Sequence, residues 1–215
     1  MTLNYHYVKI VVMSQKSFRN HENNEDDESS FLTTLFPNNK STNDNKIYFY
    51  DEINPITALM LNKQINEKGN ELMALTIKYS LEQPIPLYIH VNSPGGDMFS
   101  ALSIMDNVIE SKVPIISRIE GVCASAATFF VVASNRRQIR KHSHILIHEL
   151  ASGHHGKYSD SKTHLENLDN FMKMMKSIYR ERTKIPDKVL EEVLKKDLYL
   201  DSKLALKYGF VDEII

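Results

Sequence analysis

The chain has one cysteine, almost no net charge and no apolar run long enough to cross a bilayer. Cys123 has no intramolecular partner, and 215 residues can bury a core without disulfide staples. That usage predicts a reducing compartment, and the cytoplasm is the expectation. With 26 Lys and Arg against 27 Asp and Glu, the formal charge is −1, so no overall field draws the chain onto nucleic acid or anionic lipid. Neither a nucleic acid nor a membrane is expected as a partner. The longest apolar run near the start, Ile10 to Met13 after Lys9, is too short for a signal-peptide core or a span. Nine histidines are present, but no His-Glu-x-x-His occurs and the cysteine stands alone, so no metal is expected.

What is present is an ordinary globular composition, 42% hydrophobic and 25% charged. The first forty-five residues differ from the rest. Five of the seven residues from Glu22 to Glu28 are acidic, and the stretch onward to Asn45 is polar without an apolar period. Residues 1–45 therefore read as a flexible arm and 46–215 as the folded domain.

Lys46 to Tyr50 reads as a strand, and Asn54-Pro55 as the cap and first position of a helix. Gly69 is expected to interrupt that helix before Leu72 to Leu81 resumes it. Pro86 to Val91 reads as a buried strand that ends in the turn Ser93-Pro94-Gly95-Gly96. A helix over Asp97 to Ser111 is expected to bury Leu102, Met105, Val108 and Ile109, and Pro114 to Ile119 forms the next strand. Gly121 is expected to open a second turn, followed by a buried helix over Ala124 to Ser134 and a strand at Ile145 to Ile147. Arg136, Arg137, Arg140 and Lys141 read as a solvated loop. Ser159 to Thr183 has Leu165, Leu168, Phe171, Met172, Met175, Ile178 and Tyr179 at helical spacing, and Pro186 and Asp201 start two further helices. Strands alternating with helices predict an α/β fold with a largely parallel sheet.

Two glycine-containing strand-to-helix turns leave free backbone N–H groups, which suit a developing negative charge. Ser125 lies in the second, where the Ala126 N–H and one from a first-turn glycine can converge, which makes it a nucleophile candidate. A serine hydroxyl needs a base and a group that orients the base. His148, just past a strand, suits the first role, and Asp197 the second. The bland alternatives are a capping serine and a structural histidine, and spacing alone leaves them open.

Four ordered motifs then resemble the proteolytic subunit of the Clp protease, the ClpP family. They are Tyr88 to Gly96, Gly121 to Ala126, Ile147-His148-Glu149, and Lys196 to Leu200 leading into Ala205 to Asp212. The resemblance runs from about Lys46 to Ile215. It implies an α/β fold of ClpP/crotonase type, with a largely parallel sheet in repeated β-β-α units and a protruding handle helix over the Ser159 segment. It implies Ser125 as nucleophile, His148 as general base and Asp197 as the orienting acid, with an oxyanion hole from the Gly96 and Ala126 N–H groups. The implied substrate cleft runs between strands at Asp97-Met98-Phe99 and Ala151-Ser152-Gly153, with Met98, Ser152 and Gly153 against the substrate.

The implied activity is serine-type endopeptidase hydrolysis of unfolded polypeptides inside a homo-oligomer of stacked rings. An AAA+ unfoldase would be the partner that uses ATP, and this subunit would need no cofactor. Two departures stand out. His148-Glu149-Leu150 replaces the family's common His-Gln-Pro, and Lys195-Lys196 replaces an Asp-Arg pair that couples ring contacts to activity. They motivate a noncatalytic ring or scaffold subunit as an alternative reading. The unmatched arm motivates a Clp-like peptidase that matures a viral or other assembly.

Overall fold

A computed structural model describes residues 45–152 and 157–215. Of the arm read over residues 1–45 only Asn45 falls within it, and Gly153 lies outside the described residues. Asn45 already belongs to the folded unit. Its amide donates to the Pro86 carbonyl, and its carbonyl accepts from the Tyr88 N–H.

The strands are β1 (Lys46–Phe49), β2 (Leu87–Ser93), β3 (Ile115–Ala124), β4 (Arg136–Ile139), β5 (His144–Leu146), β6 (Tyr199–Asp201) and β7 (Glu213–Ile214). The helices are α1 (Pro55–Lys78), α2 (Met98–Ile109), α3 (Ala127–Ala133), α4 (Tyr158–Arg182), α5 (Asp187–Lys196) and α6 (Ser202–Lys207). The main sheet runs in the order β1-β2-β3-β4-β7, and every pairing along it is parallel. β5 joins β3 in parallel and carries β6 antiparallel on its far side. The α/β class with a largely parallel sheet is thus as the sequence predicts.

Parallel strands need helical crossovers, and the chain supplies them with caps already written in it. Asn54 accepts from the Ile56 and Thr57 N–H groups, Thr57 bonds back to the Asn54 N–H, and Pro55 occupies the first helical turn, where its missing N–H costs nothing. Asp97 caps α2 through the Ser100 N–H, and Asp201 caps α6 through the Leu204 N–H. One sheet face, with Ile47, Phe49, Ile89, Val91, Ile115 and Ile119, joins α1, α2 and α3 in a single apolar core. All seven residues of α3 are buried.

The other face is polar, because alternate residues along a strand point to opposite sides. Tyr48 stacks on His90, and Glu120 receives Tyr50 and Arg140. Arg118 donates to Gln138, which donates to Glu213.

Five expectations change. Helix α1 runs unbroken through Gly69, whose added Cβ would meet only ordinary contacts 3.9 Å away; six buried positions along α1 outweigh the roughly 1 kcal/mol helix cost of one glycine. The buried side of α2 runs through Ala101, Ile104, Met105 and Val108, leaving Ile109 47% exposed. Gly121 opens no turn: β3 continues to Ala124, changing neighbour there from β4 (through Ile119) to β5 (from Val122). Of the basic cluster, Arg136 and Arg137 lie in strand β4, with Arg137 held by Asp212 and by the Arg182 and Gly209 carbonyls, while Arg140 and Lys141 follow it as exposed residues outside the strand. In α4 only Met175, Ile178 and Tyr179 are buried, and Leu165 is 62% exposed.

Candidate active site

Three strands, β2, β3 and β5, deliver their carboxyl ends to one place, and β3 is where the sheet forks. Crevices beyond the carboxyl ends of parallel strands, at a change of strand order, are where open α/β sheets form sites.

Ser125 follows β3 directly. Its backbone is left-handed, with φ 52°, a conformation costing a non-glycine residue about 1–3 kcal/mol unless neighbours impose it. Here they do. The Ser125 N–H donates to the Leu146 carbonyl at 2.7 Å, and the Ser125 carbonyl accepts the Thr128 N–H at 3.0 Å and the Thr128 hydroxyl at 2.6 Å. The first bond ties the end of β3 to the end of β5, two residues before His148.

The glycine turn packs directly against this serine. A Cβ on Gly95 would lie 2.5 Å from the Ala124 carbonyl oxygen and 2.8 Å from Ser125 Cβ; one on Gly96 would lie 2.0 Å from the Ile53 oxygen. Only glycine allows either approach. The turn is held from behind: Ile53 N–H donates to the Gly95 carbonyl, Asp97 N–H donates to the Ile53 carbonyl, and Ser93 Oγ bonds the Asp51 carbonyl at 2.6 Å. The Gly96 and Ala126 N–H groups have no acceptor among the described residues.

His148 is half-buried beside Ser125, and its Nδ1 lies 2.6 Å from the Glu149 carbonyl oxygen. With that nitrogen donating, Nε2 is the nitrogen left to accept a proton. The segment is anchored where the Glu149 N–H meets the Leu194 carbonyl at 3.0 Å.

Asp197 is exposed and takes a left-handed conformation, φ 47°, at the end of α5. Its carboxylate makes no hydrogen bond or ion pair among the described residues. Its place in the fold is nonetheless specific. The antiparallel register pairs His144 with Asp201, Ile145 with Leu200 and Leu146 with Tyr199. Continued by two residues, the same register sets Asp197 opposite His148. The structure thus brings Ser125, His148, Gly96 and Ala126 together, and leaves Asp197 next along the ladder without a bond to the imidazole. Ser125 Oγ and the His148 ring are not hydrogen-bonded to each other either.

A cavity of about 370 Å³ opens at Ser125 and His148, walled by Met98 and Asp97 on one side and by Leu150, Ala151 and Ser152 on the other. Met98 and Ser152 both line this cavity, but the expected strand at Asp97-Met98-Phe99 is absent. The Asp97 side chain starts α2 at Met98, so that wall offers extended backbone only as far as Asp97. Helix α4 forms the rest: Leu168 and Phe171 line the cavity, Phe171 meets Phe99 edge-on at 5.4 Å, His164 Nε2 lies 3.2 Å from Ser152 Oγ, and Met172 Sδ accepts the Leu150 N–H at 3.4 Å. The sequence reading missed His164 and Thr128 and gave Leu168 and Phe171 only a packing role. Their helical spacing signalled a buried stripe and carried no hint of a cleft.

Cys123, two residues before Ser125, is fully buried, and burial pushes its thiol well above the usual range, so it stays a neutral packing group. Among the described residues no three of His, Cys, Asp and Glu converge as metal ligands. None of the described helices is long and apolar enough to cross a membrane.

A family model described as Clp protease matches residues 22–215, so the match begins well ahead of Lys46. The chain is 29% identical over 180 residues to the ATP-dependent Clp protease proteolytic subunit 2 of Treponema denticola, an alignment that covers 82% of this chain and 89% of that one.

Proposed function

Because the chain belongs to the Clp protease family, we propose that it is a serine endopeptidase whose nucleophile is Ser125 and whose general base is His148. The observation that carries this is the convergence on one cavity of a serine with a constrained backbone, an imidazole, and two N–H groups that have no acceptor among the described residues.

In this mechanism Ser125 Oγ attacks the scissile carbonyl while His148 Nε2 takes the hydroxyl proton. The new oxyanion forms between the Gly96 and Ala126 N–H groups, where only the main chain acts, so alanine serves as well as any residue. His148 returns the proton to the leaving amine, which departs as the acyl-enzyme forms. Water then attacks the acyl carbon while giving a proton to the same imidazole, and the bond to Ser125 Oγ breaks as that proton passes to Oγ, releasing the acid and restoring the serine. Asp197 takes the orienting role when its carboxylate replaces the Glu149 carbonyl at Nδ1. The substrate is an unfolded polypeptide lying extended along Leu150 to Ser152, so that backbone pairing supplies binding with broad sequence tolerance. The family also motivates a closed assembly of stacked rings of this chain, fed by an ATP-driven unfoldase.

A second reading, a noncatalytic ring subunit, is favoured by one specific observation: Nδ1 is occupied by a backbone carbonyl while Asp197 stands unbonded. A fluorophosphonate probe separates the two. Purified protein labels with the probe at one serine, and Ser125→Ala abolishes labelling. Absence of labelling in the assembled wild type favours the noncatalytic reading.

A further inference from the structure

Ser125 keeps a left-handed backbone that its side chain does not favour, so something must hold it, and the holding group is unusual. One residue, Thr128, grips the Ser125 carbonyl twice, through its N–H and its Oγ1. An N–H bond from this position is ordinary at a helix start. The hydroxyl bond is not guaranteed, because a threonine hydroxyl has one proton and a free rotor.

The rotor is set from below. Tyr179, on α4 and 51 residues away in sequence, places its hydroxyl 2.8 Å from Thr128 Oγ1. Thr128 spends its proton on the Ser125 carbonyl, so the Tyr179 O–H donates to Thr128. Both residues are buried, 1% exposed each, so bulk solvent does not reach either bond. Burial raises the Tyr179 hydroxyl far above its ordinary range, against a smaller opposing effect of the Thr128 bond, which keeps it a donor at every working pH. The ring is wedged between Phe129 and Phe210, at centroid distances of 5.9 and 5.7 Å. It also floors the narrow hollow, about 30 Å³, that lies against Ser125 and His148.

We propose that Tyr179 is a positioning residue for the nucleophile, acting through Thr128 on the Ser125 carbonyl and resting on the serine-peptidase reading above. The tyrosine hydroxyl orients the threonine, the threonine fixes the serine's backbone, and the backbone aims Oγ. Tyr179 touches no reacting atom. Its effect falls on the acylation rate, while affinity for the polypeptide, set by the cleft walls, stays as it is.

The test measures fluorophosphonate labelling rates, and kcat and KM on a fluorogenic peptide, for the full chain in its native assembly. Wild type and Ser125→Ala come first: failure of wild type to label overturns the peptidase reading itself, independently of Tyr179. Given labelling, Tyr179→Phe is expected to acylate about three- to tenfold more slowly, as loss of one hydrogen bond implies, with KM and elution volume unchanged. Thr128→Val should show a loss at least as large, and Thr128→Ser, which keeps the hydroxyl, should recover most of the wild-type rate. The Tyr179→Phe/Thr128→Val double variant should be no slower than Thr128→Val alone, because the two groups act in series. A wild-type acylation rate in Tyr179→Phe overturns the proposal, and so do multiplying effects in the double variant. Should Tyr179→Phe fail to fold, the Thr128 pair decides alone: equal rates for Val and Ser overturn the relay.

Discussion

One methyl group at Gly96 decides whether the glycine turn can seat against the Ile53 main chain that braces it. A Cβ there would sit 2.0 Å from the Ile53 carbonyl oxygen, in a backbone conformation (φ 145°) that side chains rarely adopt. Gly96→Ala should lose about 1–3 kcal/mol of stability by urea unfolding, and most of its probe labelling, since the displaced turn carries the N–H proposed for the oxyanion. Labelling at the wild-type rate would remove Gly96 from the mechanism. Local pattern alone made Ser125 and His148 candidates and left a capping serine and a structural histidine open; their proposed roles, and that of this glycine, came from the family resemblance of the motifs around them. The roles of Thr128 and Tyr179 were legible in neither. Their partnership spans 51 residues, and a tyrosine at helical spacing looks the same whether its hydroxyl idles or orients a neighbour.

At the scale of elements, the antiparallel β5–β6 ladder ends two residues short of both His148 and Asp197, the proposed base and acid. Its three paired positions extrapolate to His148 opposite Asp197. In the assembled protein Asp197→Asn should slow labelling at least tenfold, since an amide cannot stabilise the imidazolium. An unchanged rate would leave the Glu149 carbonyl as the sole orienting group. β6 itself was invisible beforehand: three residues between two helices carry no period, and only pairing with β5 makes them a strand. β4 was hidden for a different reason. Its two arginines, Arg136 and Arg137, are satisfied by Asp212, Glu213 and main-chain carbonyls contributed from the far end of the chain, so the first half of a stretch that reads as solvated becomes an interior strand, while Arg140 and Lys141 stay exposed beyond it. In α4 the apolar spacing correctly indicated a helix, but most of that stripe flanks the cleft or faces solvent, which period alone does not distinguish from core.

Across the whole molecule, the two faces of the sheet obey different chemistry. The apolar one makes the core from Ile47 to Ile119, on strands the sequence read as strands without assigning them two faces. The polar one is organised around Glu120, which is reached by Tyr50, Arg140 and His90. Burial pushes the Glu120 carboxyl up, but those three partners together outweigh it and hold it at about 2, while the Tyr50 hydroxyl is pushed up to about 12, mainly by its bond to Glu120. A carboxyl depressed in the folded state stabilises the fold above its unfolded value of 4.5, and that stabilisation is lost as pH falls towards about 2. Wild type should therefore exceed Glu120→Gln in urea midpoint at neutral pH, with the gap closing across this acid window. A gap independent of pH would mean that the carboxylate's charge plays no part.

The backing of the glycine turn also has a consequence for the front of the chain. Among the described residues its contacts reach back to Asp51 and Ile53, and β1 is tied to β2 through Asn45. Shortening the polypeptide as far as Asp44 removes none of these bonds. A cut beyond Ile53 strips away the brace on which the Gly95-Gly96 bend leans, so the bend at the cleft depends on a segment that lies only eight residues past Asn45.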